Sequence, residues 1–187
     1  MCTPERAVRC LSVAVLFLVG AAASIATAPV AAAEPLYRLG SPLADGDLVG
    51  WNIDVAADGA GLPPGQGSVA EGKAVYDAKC AACHGAKGEG KPANQLVGGS
   101  VRPPAAVKTV GSFWPYATTL YDYVNRSMPW DRPQSLTPNE VYSVSAYILN
   151  LNGIVPDSAV LDAVSLPKVR MPNRDGFTTP DPRPDTR

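Results

Sequence analysis

The chain has 187 residues, with 16 basic and 17 acidic side chains, a formal net charge of −1 and a single histidine. The balanced charge excludes a nucleic-acid binder, which needs a basic face to neutralise phosphates, and one histidine excludes multi-histidine zinc or copper sites. Nineteen prolines and seventeen glycines leave little room for long helices or regular sheets.

In chain order, the first feature is an export pattern. Arg6 and Arg9 precede an uncharged, mostly apolar run from Cys10 to Ala33, which closes on the small residues Ala31-Ala32-Ala33 before Glu34-Pro35. This three-part arrangement predicts a signal peptide at residues 1–33, cleaved on export to the periplasm, with no stable membrane anchor left behind. The run is long enough to span a bilayer, which takes about 20 apolar residues. Its alanine-rich second half and Pro29 favour cleavage over retention. Cleavage removes Cys2 and Cys10 and leaves two cysteines, Cys80 and Cys83.

Residues 34–66 show no helical or strand period and are rich in Pro, Gly and Asp, as are residues 154–187. Leu36, Tyr37, Leu43, Leu48, Trp51, Ile53 and Val55 make the first segment too apolar for a purely solvated tail. Both are expected to be arms laid on the domain between them (67–153) or on a partner, with Thr178–Arg187 disordered.

Ser68-Val69-Ala70-Glu71 is a capping box and predicts a helix starting at Val69. Gly72 inside that helix costs roughly 1 kcal/mol against alanine, so a second helix is expected to approach closely there. The helix runs into Cys80-Ala81-Ala82-Cys83-His84, the C-x-x-C-H pattern of covalent haem attachment. Two intervening residues place both thiols on one helical turn, at the spacing of two haem vinyl groups, and the adjacent His84 projects towards the iron. A redox dithiol needs a thioredoxin-like context, and a zinc site needs a second pair of ligands; the chain after residue 33 offers neither. One covalent haem c is the expected cofactor.

Beyond the glycines at 85, 88 and 90, a second helix is predicted over Tyr116–Ser127, with Tyr116, Leu120, Tyr123 and Val124 on one side. It stops before Met128-Pro129. With no second histidine, Met128 is the expected sixth ligand, in a loop that Pro129 keeps rigid and non-helical. Met171, in a Pro-rich tail, is the weaker candidate. Histidine–methionine ligation suits electron transfer more than oxygen chemistry. Phe113, Trp114, Tyr116, Trp130 and Pro103-Pro104 are expected to build a distal wall over the haem. Arg102 and Arg126 are candidates for pairing with its propionates, with a solvated surface role the alternative for each. The last helix is the clearest: Thr137 as N-cap, Pro138 at the first position, Glu140 closing a capping box, the stripe Val141, Val144, Ile148, Leu151, and Gly153 just past the end.

The capped first helix, the C-x-x-C-H turn, Met128-Pro129 and the last amphipathic helix together resemble a class I cytochrome c over about residues 67–153. The resemblance implies a small all-α fold whose first and last helices cross at Gly72, with Tyr142 or Tyr147 against Gly72 or Tyr76. Leu96-Val97-Gly98 is similar to the family's Pro-x-Leu-x-Gly segment, whose proline carbonyl accepts the proximal histidine's Nδ1–H; here Asn94 stands in the proline position. A narrower set resembles the cytochrome subunits of bacterial sulfite and sulfur dehydrogenases, including the Sox-system subunit in a single-haem form. It comprises Trp51–Val55, Gly59–Pro63, Thr109–Leu120, Met128–Trp130, Pro133–Leu136, Asn152–Ile154, Leu166–Val169 and Met171–Phe177.

This resemblance implies a subunit that accepts electrons from a molybdopterin dehydrogenase and passes them to a downstream cytochrome c or oxidase. The chain offers no general base and no metal site beyond the haem, so substrate chemistry is placed on the partner. Two other readings stay open: a free-standing soluble carrier, and a haem enzyme or gas-binding cytochrome with an open sixth site.

Overall fold

The computed structural model describes residues 40–104 and 106–177; the signal-peptide expectation (1–33), Leu36 and Tyr37, and the expected disorder of Thr178–Arg187 lie outside them. The described elements are β1 (Gln66–Ser68), α1 (Val69–Lys79), α2 (Ala81–His84), α3 (Val110–Phe113), α4 (Ala117–Ser127), α5 (Pro138–Leu151) and β2 (Val160–Asp162), with 3-10 turns at Asp45–Leu48 and Leu166–Lys168. The described residues from Leu43 to Phe177 lie in one compact unit. No helix among the described residues is long and apolar enough to cross a membrane.

The two capping boxes form as read. The Ser68 hydroxyl accepts from the Glu71 N–H, and the Glu71 carboxylate accepts from the Ser68 N–H at 2.9 Å. Thr137 and Glu140 repeat the arrangement at the start of α5, with Pro138 at its first position, where no N–H is needed. Asn152 then caps α5 and Gly153 turns the chain at φ 68°.

α1 and α5 cross at Gly72, as the glycine demanded. A Cβ there would overlap the Ser143 carbonyl and come within 2.8 Å of the Tyr147 Cβ. One turn on, Tyr76 and Tyr147 pack with ring centroids 5.3 Å apart, and Lys79 pairs with Glu140 at 2.5 Å.

α5 is buried over nine consecutive residues, Val141 to Leu149, not along a single stripe. Its second side is covered by the arms. β1 and β2 pair antiparallel, with Gly67 opposite Leu161, and a Cβ on Gly67 would strike Ser143 of α5. Tyr142 of α5 donates to the Pro63 carbonyl at 2.9 Å. In the second arm Leu166 and Met171 enter the core, each worth about 1.5–3 kcal/mol on burial. The expectation of Met171 as an alternative iron ligand is thereby corrected: it is 1% exposed within the apolar cluster.

α4 also departs from its expected face. Tyr116 is its N-cap, Tyr123 is 46% exposed, and Tyr121 takes the core position instead, 4.6 Å from the Tyr142 ring. Burial pushes the Tyr142 phenol up to about 12 and the Tyr121 phenol higher still.

α4 additionally receives the first arm. Asp122 accepts the Val55 N–H at 3.0 Å, Thr118 donates to the Ala57 carbonyl, and Arg126 pairs with both Asp54 and Asp122. Arg126 is thus occupied by the arm, which corrects its reading as a propionate partner. Upstream, Leu43, Leu48, Val49 and Trp51 stay exposed.

Candidate functional site

α1 ends where the attachment motif begins. Cys80 caps it, its N–H bonded to the Tyr76 carbonyl at 2.8 Å, and the Cys83 and His84 N–H groups both return to the Cys80 carbonyl. One tight turn therefore carries both sulfurs and the imidazole. The thiols are free, with Cys80 half-buried and Cys83 exposed. Burial raises the Cys80 thiol to about 11, keeping it neutral in the unmodified chain.

The segment after the turn folds back on it. Gly90 donates to the His84 carbonyl at 2.8 Å, Ala93 to the Cys83 carbonyl at 2.9 Å, and Leu96 and Val97 both to the Gly88 carbonyl. This return delivers the Asn94 carbonyl to His84, 2.8 Å from Nδ1. A carbonyl only accepts, so Nδ1 carries the proton and Nε2 presents its lone pair. The backbone of Asn94 does what a proline carbonyl would do in that position, because only the carbonyl is used.

The candidate sixth ligand stands at the end of α4. Met128 caps that helix in extended conformation, its N–H still bonded to Val124, and Pro129 behind it is buried. Met128 and Trp114 are half-buried at the margin of the core, as are Cys80, Ala81 and Leu96 from the attachment side. Among the described residues no cluster of three or more His, Cys, Asp and Glu side chains is placed to hold a bare metal ion.

A cytochrome c family model matches residues 69–152. The solved sulfane dehydrogenase SoxCD from Paracoccus pantotrophus is similar to this chain at 41% identity and a TM-score of 0.73, over 79% of this chain and 73% of that one. The chain is a class I cytochrome c of the Sox type. The thiosulfate dehydrogenase of Stutzerimonas stutzeri is 34% identical over 89 residues, 46% of this chain and 28% of that protein, so this cytochrome spans little more than a quarter of that relative's length.

A cytochrome c domain implies covalently bound haem c, and the residues present fit it. Two free thiols share one turn, the lone histidine is fixed through Nδ1, and Cys80, Ala81, Leu96, Trp114 and Met128 are only half-buried against the core, leaving apolar surface that an apolar group would cover.

The expected aromatic wall resolves into separate pairings. Phe113 meets Phe177 edge-on at 5.1 Å, Trp114 meets Tyr123 edge-on at 5.6 Å, and Tyr116 lies 4.4 Å under the Arg174 guanidinium. Trp130 is 83% exposed, and Arg102 stands exposed with Pro103 and Pro104. Of this group, Trp114 is half-buried and packed against the core, as Met128 is. Sequence reading missed Asn152, whose amide bonds to the loop after His84. Its signals were an Asn-Gly pair at a helix end and its place in the Asn152–Ile154 segment of the resemblance, neither of which says what the side chain holds.

Proposed function

We propose that this cytochrome is the electron-transfer subunit of a periplasmic sulfur-compound dehydrogenase, with one haem c. It takes electrons from a molybdopterin-containing catalytic subunit acting on sulfite or a related sulfur substrate and gives them to a downstream cytochrome c or oxidase. The observation that carries this reading is the 41% identity to sulfane dehydrogenase SoxCD over 79% of the chain. In this reading Cys80 and Cys83 hold the haem as thioethers, and His84 and Met128 are the axial ligands. Trp114, Arg102, Tyr116 and Trp130 would belong to the haem surroundings.

When bound, haem c supplies one-electron chemistry at a potential raised by methionine ligation. The chain's own residues do the rest. The Asn94 carbonyl fixes the tautomer and orientation of His84, Pro129 keeps Met128 out of helical conformation, and the core margin excludes water from one side. The export pattern at residues 1–33 supports the periplasmic placement.

The test is stopped-flow reduction of the complex purified through this chain, watching the haem band while sulfite or thiosulfate is added. Co-purification of a molybdenum protein and haem reduction within turnover time are expected. A haem chain that purifies alone and is not reduced by either substrate would favour the free-standing carrier.

A further inference from the structure

Asn152 ends α5 and points its side-chain amide at the loop after His84. Its Nδ2 donates to the Leu96 carbonyl at 3.3 Å and to the Ile148 carbonyl at 2.8 Å, and its Oδ1 accepts from the Gly98 N–H at 3.0 Å. The orientation is fixed chemically: reversing the amide would set its NH2 against an N–H and its oxygen against two carbonyls. By bonding Leu96 and Gly98 together, the amide imitates a length of backbone and grips the chain on both sides of Val97.

The grip is closed from a third direction. A Cβ on Gly111 of α3 would overlap the Asn152 amide, so α3 lies directly on it. The Thr109 hydroxyl, just before α3, donates to the Gly98 carbonyl. The other backbone bonds of residues 88–97 stay within the attachment segment itself, running to Cys83, His84, Gly85, Gly88 and Ala93. Beside the packing of Leu96 on the core, Asn152 and Thr109 therefore supply the hydrogen bonds that tie this loop to the helices beyond it.

We propose that Asn152 is a positioning residue for His84. One residue, Gln95, separates Leu96 from Asn94, whose carbonyl accepts the His84 Nδ1–H. Holding Leu96 and Gly98 holds that carbonyl in place. A firmly held acceptor strengthens electron donation by the imidazole to ferric iron; a loosened one weakens it and favours the ferrous state. Through Asn152 the last helix thereby contributes to the potential by way of the proximal loop. This rests on His84 being the iron ligand.

The test uses the full haem-loaded chain. Asn152→Asp keeps the shape and the acceptor for Gly98 but sets an oxygen against the Leu96 and Ile148 carbonyls; Asn152→Leu removes all three bonds. Asn150→Ala is the control: it removes bonds to Val155 and Asp157 at the same helix end and leaves the loop alone. Both Asn152 variants are expected to raise the midpoint potential and to speed exchange of the His84 Nδ1 proton about tenfold, while Asn150→Ala does neither. Unchanged potential and exchange in the Asn152 variants, or an equal shift in Asn150→Ala, would reduce Asn152 to a helix cap. If neither Asn152 variant loads haem, exchange of the exposed Gly98 amide in the wild-type chain decides: slow exchange supports the grip and solvent-rate exchange overturns it. A wild-type spectrum without histidine ligation would overturn the reading of His84 itself, before any variant is compared.

Discussion

Residues 80–97 are held mostly by hydrogen bonds between positions two to ten apart, such as Ala93 to Cys83 and His84 to Asn94. The arms are tied to the helices over separations of 60 to 79 residues: Val55 to Asp122, Asp54 to Arg126, Pro63 to Tyr142 and Phe113 to Asn173. The first region carries its geometry within itself and sets the chemistry. The second has no geometry until the helices exist, and it completes the burial of α5. A haem-binding chain can thus lose much stability in one region while keeping its ligand set in the other.

The largest expected effect breaks the first region. His84→Ala removes the only histidine, so the reduced chain should lose its low-spin spectrum and bind carbon monoxide rapidly while keeping haem on Cys80 and Cys83. A low-spin spectrum unchanged from wild type would remove His84 from the iron. Next comes a contrast between two methionines. Met128→Ala should abolish the ferric charge-transfer band at the red end of the spectrum and lower the potential. Met171→Ala should leave that band intact and cost about 2–5 kcal/mol in denaturant unfolding, the usual range for a buried large-to-small change. The reverse pattern would exchange their roles.

Smaller effects belong to the arms. Asp122→Asn should release residues 52–57, read as faster proteolysis there with an unchanged haem spectrum, because Asp122 joins the Val55 N–H to Arg126. A shift of the spectrum would show that the two regions are coupled. The smallest effect is acid-dependent. The Lys79 ammonium, with help from Thr137, holds the Glu140 carboxyl below its ordinary value of 4.5. A depressed carboxylate stabilises the fold above its unfolded pKa and loses that contribution as pH falls through the folded one. Glu140→Gln should therefore flatten the decline in melting temperature below about pH 4.5, while an unchanged acid slope would place that decline elsewhere.

The same contrast governs what could be read in advance. The caps at Ser68 and Thr137, the turn at Cys80–His84 and the stop at Gly153 depend on residues a few positions apart, and spacing alone reveals them. Gly72 announced a close helix approach because a glycine in a helix needs a reason. Tyr123 and Tyr121 exchanged places because the helical period does not say where the arms lie. Arg126 read as a propionate candidate or a solvated cation; Asp122 stands one helical turn before it, but its second partner Asp54 is 72 residues away and no local spacing reveals it. The pairing of Gln66–Ser68 with Val160–Asp162 left no alternation to detect in strands of three residues. Asn152 drew notice only within the Asn152–Ile154 segment, because its role needs Leu96 and Gly98, more than fifty residues upstream.

The central claim is that one turn of this chain, Cys80 to His84, is a covalent haem site. Intact mass of the chain, expressed with a haem-attachment system and measured under denaturing conditions, tests it most directly. The account predicts one added haem, lost in the Cys80→Ala/Cys83→Ala double variant. An unmodified mass, or one two protons lighter from a Cys80–Cys83 disulfide, would contradict it.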